Sequence, residues 1–129
     1  MHFPIRVYYE DTDAGGVVYH ANYLHFFERA RTEFLRQAGF SQQALFAENL
    51  AFVVKKMEID YQFPARLDDL LQVETTILEL KKASMVFLQR LYKEGQCLSQ
   101  AKVTVASVNL EKMKPVALPS ALSHSLQAV

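Results

Sequence analysis

At 129 residues, half of them hydrophobic, the chain has material for one domain with a full core and no need of cross-links. Lys and Arg together number 14 and so do Asp and Glu, and the zero net charge excludes a global field that gathers nucleic acid or an anionic membrane. The one cysteine, Cys97, excludes an intramolecular disulfide, MHFPIRVYYED lacks the apolar core of a signal peptide, and no run approaches the ~18 apolar residues of a membrane span, so a single domain over 1–129 in the cytoplasm is expected.

Phe3–Tyr9, rich in Val, Ile and Tyr, reads as a strand, and the Asp/Gly loop within YYEDTDAGGVVYHANY follows it. From His20 to Ala38, Tyr23, Leu24, Phe27, Ala30, Phe34, Leu35 and Ala38 recur at steps of three and four, which predicts a long helix. Gly39 stands at its C-cap, and Ser41 fits the N-cap of a short second helix to about Glu48. The period then changes to two. Met57, Ile59, Tyr61 and Phe63 alternate with Lys56, Glu58, Asp60 and Gln62, as in a strand with one buried face. Pro64 ends it and Ala65–Asp69 makes a turn. Leu71, Val73, Thr75 and Ile77 alternate again, and Lys81-Lys82 mark a tight connection. Ser84–Tyr92 is a further strand, with Met85, Phe87 and Leu91 on one face and Val86 and Leu88 on the other. Lys93–Gln96 reads as a hairpin turn. Cys97–Leu110 is a long strand with small odd positions (Cys97, Ser99, Ala101, Val103, Val105), as suits a sheet curving closely around something. Cys97 reads as a packed core thiol. Pro119 ends the pattern, and the tail from Ser120 reads as loose or weakly helical. The order predicts an α+β fold, a long central helix wrapped by a curved antiparallel sheet of about five strands.

Three readings compete for the loop. Asp11-Thr12-Asp13 resembles the start of a calcium loop, with Gly16 at its sixth position, but Asn22 stands at the twelfth where a bidentate Glu is required. His20 and His25 are five apart, not the four of a helical zinc pair. The second reading is a turn before a capped helix: Gly15-Gly16 bends the chain, Asn22 fits the N-cap, and an Asp nearby meets the positive end of the helix dipole. The third uses the same parts for chemistry. Unpaired N–H groups at a helix N-terminus can hold a carbonyl oxygen as it gains charge in acyl transfer, while a carboxylate attacks the carbonyl carbon or activates water. The glycines let an acyl group approach the backbone. No G-x-S-x-G elbow offers another nucleophile.

YYEDTDAGGVVYHANYLHFFERARTEFLR resembles the hotdog-fold acyl-CoA thioesterases related to 4-hydroxybenzoyl-CoA thioesterase, and looks closest to their Tol-Pal-associated (YbgC) branch. The pattern D-x-D-x-x-G-x-V-Y-H-x-N-Y is matched at Asp11, Asp13, Gly16, Val18, Tyr19, His20, Asn22 and Tyr23. DYQFPARLDDLLQVET and KPVALP are also family-like, so the likeness spans about Phe3 to Leu118. The resemblance implies a hotdog fold, a dimer joined sheet edge to sheet edge, often paired again into a tetramer, and active sites at the dimer interface. It places the catalytic aspartate on Asp13, as nucleophile or general base, and the N–H that polarises the thioester carbonyl on the backbone of His20. Asp11 falls on a position that orients the loop by hydrogen bonds.

Other candidates follow from an acyl-CoA substrate. Tyr8, Tyr19 and Tyr23, with Gly16 and Val18, are candidates to line the acyl pocket, though each tyrosine also suits a core position with a polar tip. The phosphates of coenzyme A call for basic residues, and Arg66, Lys81, Lys82, Lys55 and Lys56 are candidates against the alternative of ordinary exposed side chains. His25 reads as a core or surface histidine, and Arg29–Glu33 has the spacing of an ion pair on the helix. No metal or redox cofactor is expected, since coenzyme A is part of the substrate. Acyl carrier protein and a cell-envelope role enter by resemblance alone. A non-hydrolytic acyl-CoA or acyl-carrier-protein binding module is the rival, and a hotdog dehydratase fits the D-x-D-x-x-G loop less well. Short, long and aromatic acyl groups all remain open.

Overall fold

The computed structural model describes residues 1–127, the side chain of residue 127 excepted. Its elements are β1 (His2–Arg6), α1 (Asn22–Gln37), α2 (Gln42–Ala47), β2 (Leu50–Tyr61), β3 (Leu70–Leu80), β4 (Ser84–Lys93), β5 (Gln96–Asn109), β6 (Lys114–Pro115) and α3 (Ser120–Gln127), with one 3₁₀ turn at Tyr9–Asp11 between β1 and α1. The strands form one antiparallel sheet in the order β1-β3-β4-β5-β2, with the short β6 also on β5. Helix α1 lies on the concave face and buries Tyr23, Phe26, Phe27, Ala30, Phe34 and Leu35. Opposite them are Leu71, Val73, Met85, Phe87, Leu91, Ala101, Val103 and Val105. Burial of each large apolar side chain stabilises the fold by about 1.5–3 kcal/mol. The small residues of β5 leave room for the aromatics of the helix. No helix among the described residues is long and apolar enough to cross a membrane.

Strand β2 carries the feature that aims its side chains. Its pairing with β5 slips between Val54 and Lys56, leaving Lys55 as the extra residue of a bulge. A side-chain period of two would send 52 and 54 to one face and 57, 59 and 61 to the other. The extra residue restores the phase. Phe52, Val54, Met57 and Ile59 therefore all face the helix side and, with Leu24, Glu28 and Arg31 of α1, line a groove. Arg31 is 7% exposed at its wall. Its Nη1 donates to Gln89 Oε1 at 2.9 Å, and Gln89 Nε2 donates to the Phe27 carbonyl and to Thr75 Oγ1. Burial lowers the Arg31 pKa, and the Glu28 carboxylate opposes the shift.

Several boundaries differ from the sequence reading. Strand β2 begins six residues before Lys56 and ends at Tyr61, because the bulge breaks the alternation that marks a strand. Gln62 and Phe63 lie outside it, both donating through backbone N–H to the Leu98 carbonyl. The tail is ordered: Leu118, Leu122 and Leu126 join the core, so α3 is a packed helix. Cys97 is half-buried at the start of β5, its Sγ near the Ser99 carbonyl, rather than a core thiol. Glu33 pairs with Arg36, not Arg29. Asn22 is the first helical residue and does not cap; position 21 holds an alanine, and no side chain caps the helix.

Candidate active site

The loop before α1 is a two-armed ribbon. Thr12 bridges to Val18, Asp13 N–H donates to the Val17 carbonyl at 2.9 Å, and Tyr19 N–H donates to the Asp11 carbonyl at 3.0 Å. The tip is closed by Gly16 N–H on the Asp13 carbonyl, with Gly16 at φ +75, a backbone shape that L side chains resist. A second bridge, Val17 to Arg66, ties the ribbon to the segment before β3.

The two aspartates differ in surroundings. Asp11 is 6% exposed, and its carboxylate accepts the Tyr8 N–H at 2.9 Å and Asn22 Nδ2 at 3.0 Å. It fixes the loop to the first residue of α1, which is why Asn22 is unavailable as a cap. Asp13 is exposed. Its Oδ1 accepts the Gly15 N–H at 2.8 Å, and a Cβ at residue 15 would lie 3.3 Å from that oxygen. Among the described residues Oδ2 has no hydrogen-bond partner, and no cation pairs with Asp13. One carboxylate has both oxygens bonded within the loop, and the other keeps one oxygen open.

Between the ribbon and α1 the chain makes a tight turn. Tyr19 N–H is held by Asp11, and the Tyr19 carbonyl accepts the Asn22 N–H at 2.8 Å. The His20 carbonyl accepts the Tyr61 hydroxyl at 2.9 Å. The backbone N–H groups of His20 and Ala21 donate no hydrogen bond among the described residues. They stand at the uncapped start of a sixteen-residue helix, where the dipole favours negative charge. Beside them Val18, His20, Tyr23, Tyr61, Gln62, Phe63 and Pro64 line a cleft of about 290 Å³. Tyr23 and Tyr61 meet edge to face at 5.1 Å, and the Tyr23 hydroxyl accepts the Ala65 N–H at 3.0 Å. Burial raises the Tyr23 pKa, the Ala65 hydrogen bond lowers it and Asp69 raises it again.

The structure thus gathers Asp13, Gly16, Val18, Tyr19, His20 and Tyr23 around one ribbon and cleft, with Val18 and Tyr23 buried in the wall. Tyr8 is exposed beside the ribbon, and Arg66 flanks it through the Val17 bridge. Lys81 and Lys82 follow the far end of β3, whose near end adjoins the loop, so about 30 Å of strand separates them from it within one chain. Tyr61, Gln62 and Phe63 are site residues that sequence reasoning did not single out. The available signal was a tyrosine at the end of an apolar alternation, whose hydroxyl needs a partner.

The profile of the Thioesterase-like superfamily matches residues 7–126. An acyl-CoA thioesterase YbgC of Haemophilus influenzae is 64% identical over 118 residues, covering 91% of this chain and 87% of that one. An acyl-CoA thioester hydrolase YbgC of Escherichia coli is 57% identical, covering 93% and 90%. A solved structure from Aquifex aeolicus superimposes with a TM-score of 0.92 at 30% identity, covering 98% of each chain.

Proposed function

Because the chain belongs to the Thioesterase-like superfamily, a hotdog-fold family, we propose that its thioester hydrolase chemistry runs on Asp13 and the backbone of His20. The chain is an acyl-CoA thioesterase. In the proposed arrangement the thioester carbonyl oxygen accepts the His20 N–H, which strengthens as that oxygen becomes anionic. The free Oδ2 of Asp13 then acts by one of two routes. As a nucleophile it attacks the carbonyl carbon, the C–S bond breaks, coenzyme A leaves as thiolate, and water cleaves the mixed anhydride to free acid and Asp13. As a base it takes a proton from water, the hydroxide adds to the carbon, and the tetrahedral intermediate expels the thiolate. Neither route uses a metal or redox cofactor. The single observation that carries this reading is a carboxylate with one unpaired oxygen on a clamped ribbon whose other arm ends in unpaired N–H donors at a helix start.

The substrate side follows the same logic. Arg66, beside the ribbon, is the candidate for a phosphate of coenzyme A. Acyl carrier protein presents a thioester on the same kind of phosphopantetheine arm and is a second proposed source. A second copy of the chain is proposed to complete the cleft. Among the described residues the outer edge of β2 has no partner strand, and the groove beside it holds a buried Arg31 with no carboxylate bonded to it.

The test is thiol release from short, long and aromatic acyl-CoAs by wild type and Asp13→Asn. We expect release by wild type and a loss of at least about 10²-fold in the variant, at unchanged fold. Full activity in Asp13→Asn overturns the assignment of Asp13. No release by wild type from acyl-CoA or acyl carrier protein leaves the non-hydrolytic binding module.

A further inference from the structure

Four backbone polar groups belong to Tyr19 and His20, and three of them are held. Tyr19 N–H is on the Asp11 carbonyl and the Tyr19 carbonyl on Asn22 N–H, both within the local turn. The His20 carbonyl is held from 41 residues away, by the Tyr61 hydroxyl at 2.9 Å. The fourth group, the His20 N–H, is free. The His20 N–H lies in the peptide plane of the Tyr19 carbonyl, which Asn22 holds, and the His20 carbonyl lies in the next plane, which Tyr61 holds; fixing both planes fixes the φ and ψ of His20 between them.

We infer that Tyr61 is a positioning residue for the reaction, its hydroxyl clamping the His20 carbonyl so that, with the Tyr19 carbonyl held by Asn22 on the other side, the His20 N–H keeps its aim on the substrate oxygen; the inference rests on the thioesterase mechanism above. Packing does not account for the residue. Tyr61 is 49% exposed, so its ring adds little to the core. Its ring instead stands edge-on to Tyr23 at 5.1 Å and to His20 at 6.5 Å, which fixes the direction of the hydroxyl. Burial, and secondarily Tyr23, raise its pKa, so the hydroxyl remains a donor through the neutral range. The bulge at Lys55 puts Tyr61 on the helix side of β2 at all. A misaimed donor is costly because its hydrogen bond must be shortest to an oxygen present only in the transition state.

Tyr61→Phe keeps the ring contacts and removes the clamp. Its kinetics are measured on the best acyl-CoA beside wild type and Asp13→Asn. The expected result is a fall in kcat of about tenfold, KM within about twofold, an unchanged unfolding midpoint and a pH profile of unchanged shape. A wild-type kcat overturns the inference. So does a raised KM at unchanged kcat, which would put the hydroxyl on the substrate, and so does a fall in kcat matched by loss of folded protein. If Asp13→Asn is inactive and Tyr61→Phe behaves as wild type, the inference alone fails. If Asp13→Asn is fully active, the mechanism fails and the inference with it.

Discussion

Replacing Asp11 and replacing Asp13 should damage different properties of the molecule. Asp11 is buried and accepts two hydrogen bonds, from Tyr8 N–H at 2.9 Å and Asn22 Nδ2 at 3.0 Å. A hydrogen bond to a charged group contributes about 1.5–3 kcal/mol. Both partners are only partly buried, so the lower figure applies to each and Asp11→Ala should cost about 3 kcal/mol. For a domain of this length that corresponds to a fall of roughly 12 °C in Tm. The assay is urea unfolding by circular dichroism at fixed protein concentration, because association would add to apparent stability. Asp11→Asn keeps one acceptor but turns an amide donor toward one of two donors, and should lose about half as much. The double variant Asp11→Asn, Asn22→Asp exchanges donor and acceptor between the two positions. It should recover most of the loss, with a coupling above about 1 kcal/mol. Asp11→Ala within about 0.5 kcal/mol of wild type, or a double variant that merely adds the two losses, would refute the account of Asp11 as the anchor of the loop.

Leu122 is fully buried, so Leu122→Ala should destabilise by about 2–4 kcal/mol in the same assay; a loss below about 1 kcal/mol would mean that α3 does not pack as described. Tyr23 gives a pH dependence. Its folded pKa lies above the ordinary 10.0, so the fold favours the neutral hydroxyl. That stability is complete below the unfolded value and is lost as pH rises through the folded one. Unfolding at about pH 8 and about pH 11 should show the decline, and Tyr23→Phe should flatten it; an equal decline in the variant assigns it elsewhere.

Much of this architecture was legible because it rests on short-range periodicity. The steps of three and four from Tyr23 to Leu35 place α1, and the alternation of Leu71, Val73 and Thr75 places β3. What was not legible is long-range. Residues 50–54 do not alternate in phase with 57–61, so β2 read from its pattern starts at Lys56, and only the pairing with β5 shows the missing half. Asn22 has the chemistry of a cap and the right place, yet Asp11 takes its side chain. The tail reads as loose because Leu118, Leu122 and Leu126 are spaced thinly among small polar residues, and their burial depends on the rest of the sheet being present. Lys81 and Lys82 have the right charge for a phosphate, but the length of β3 separates them from the loop of their own chain, which no local pattern shows. Asp13 and His20 lie seven apart on two arms of one ribbon, and the joint role proposed for them came into view only through the motif's resemblance.

Helix α1 begins without a side-chain cap, and a cap typically stabilises a helix by about 1 kcal/mol. A cap would accept the N–H of Tyr23 or Leu24, whereas the donors left open beside the cleft are those of His20 and Ala21, just ahead of the helix. An oxygen bound to those donors would meet the positive end of the same uncapped helix, so ligand affinity and helix order would be thermodynamically linked at this end of the chain. By that linkage, an occupant of the cleft that binds only the folded chain would stabilise the fold as well as fill the site.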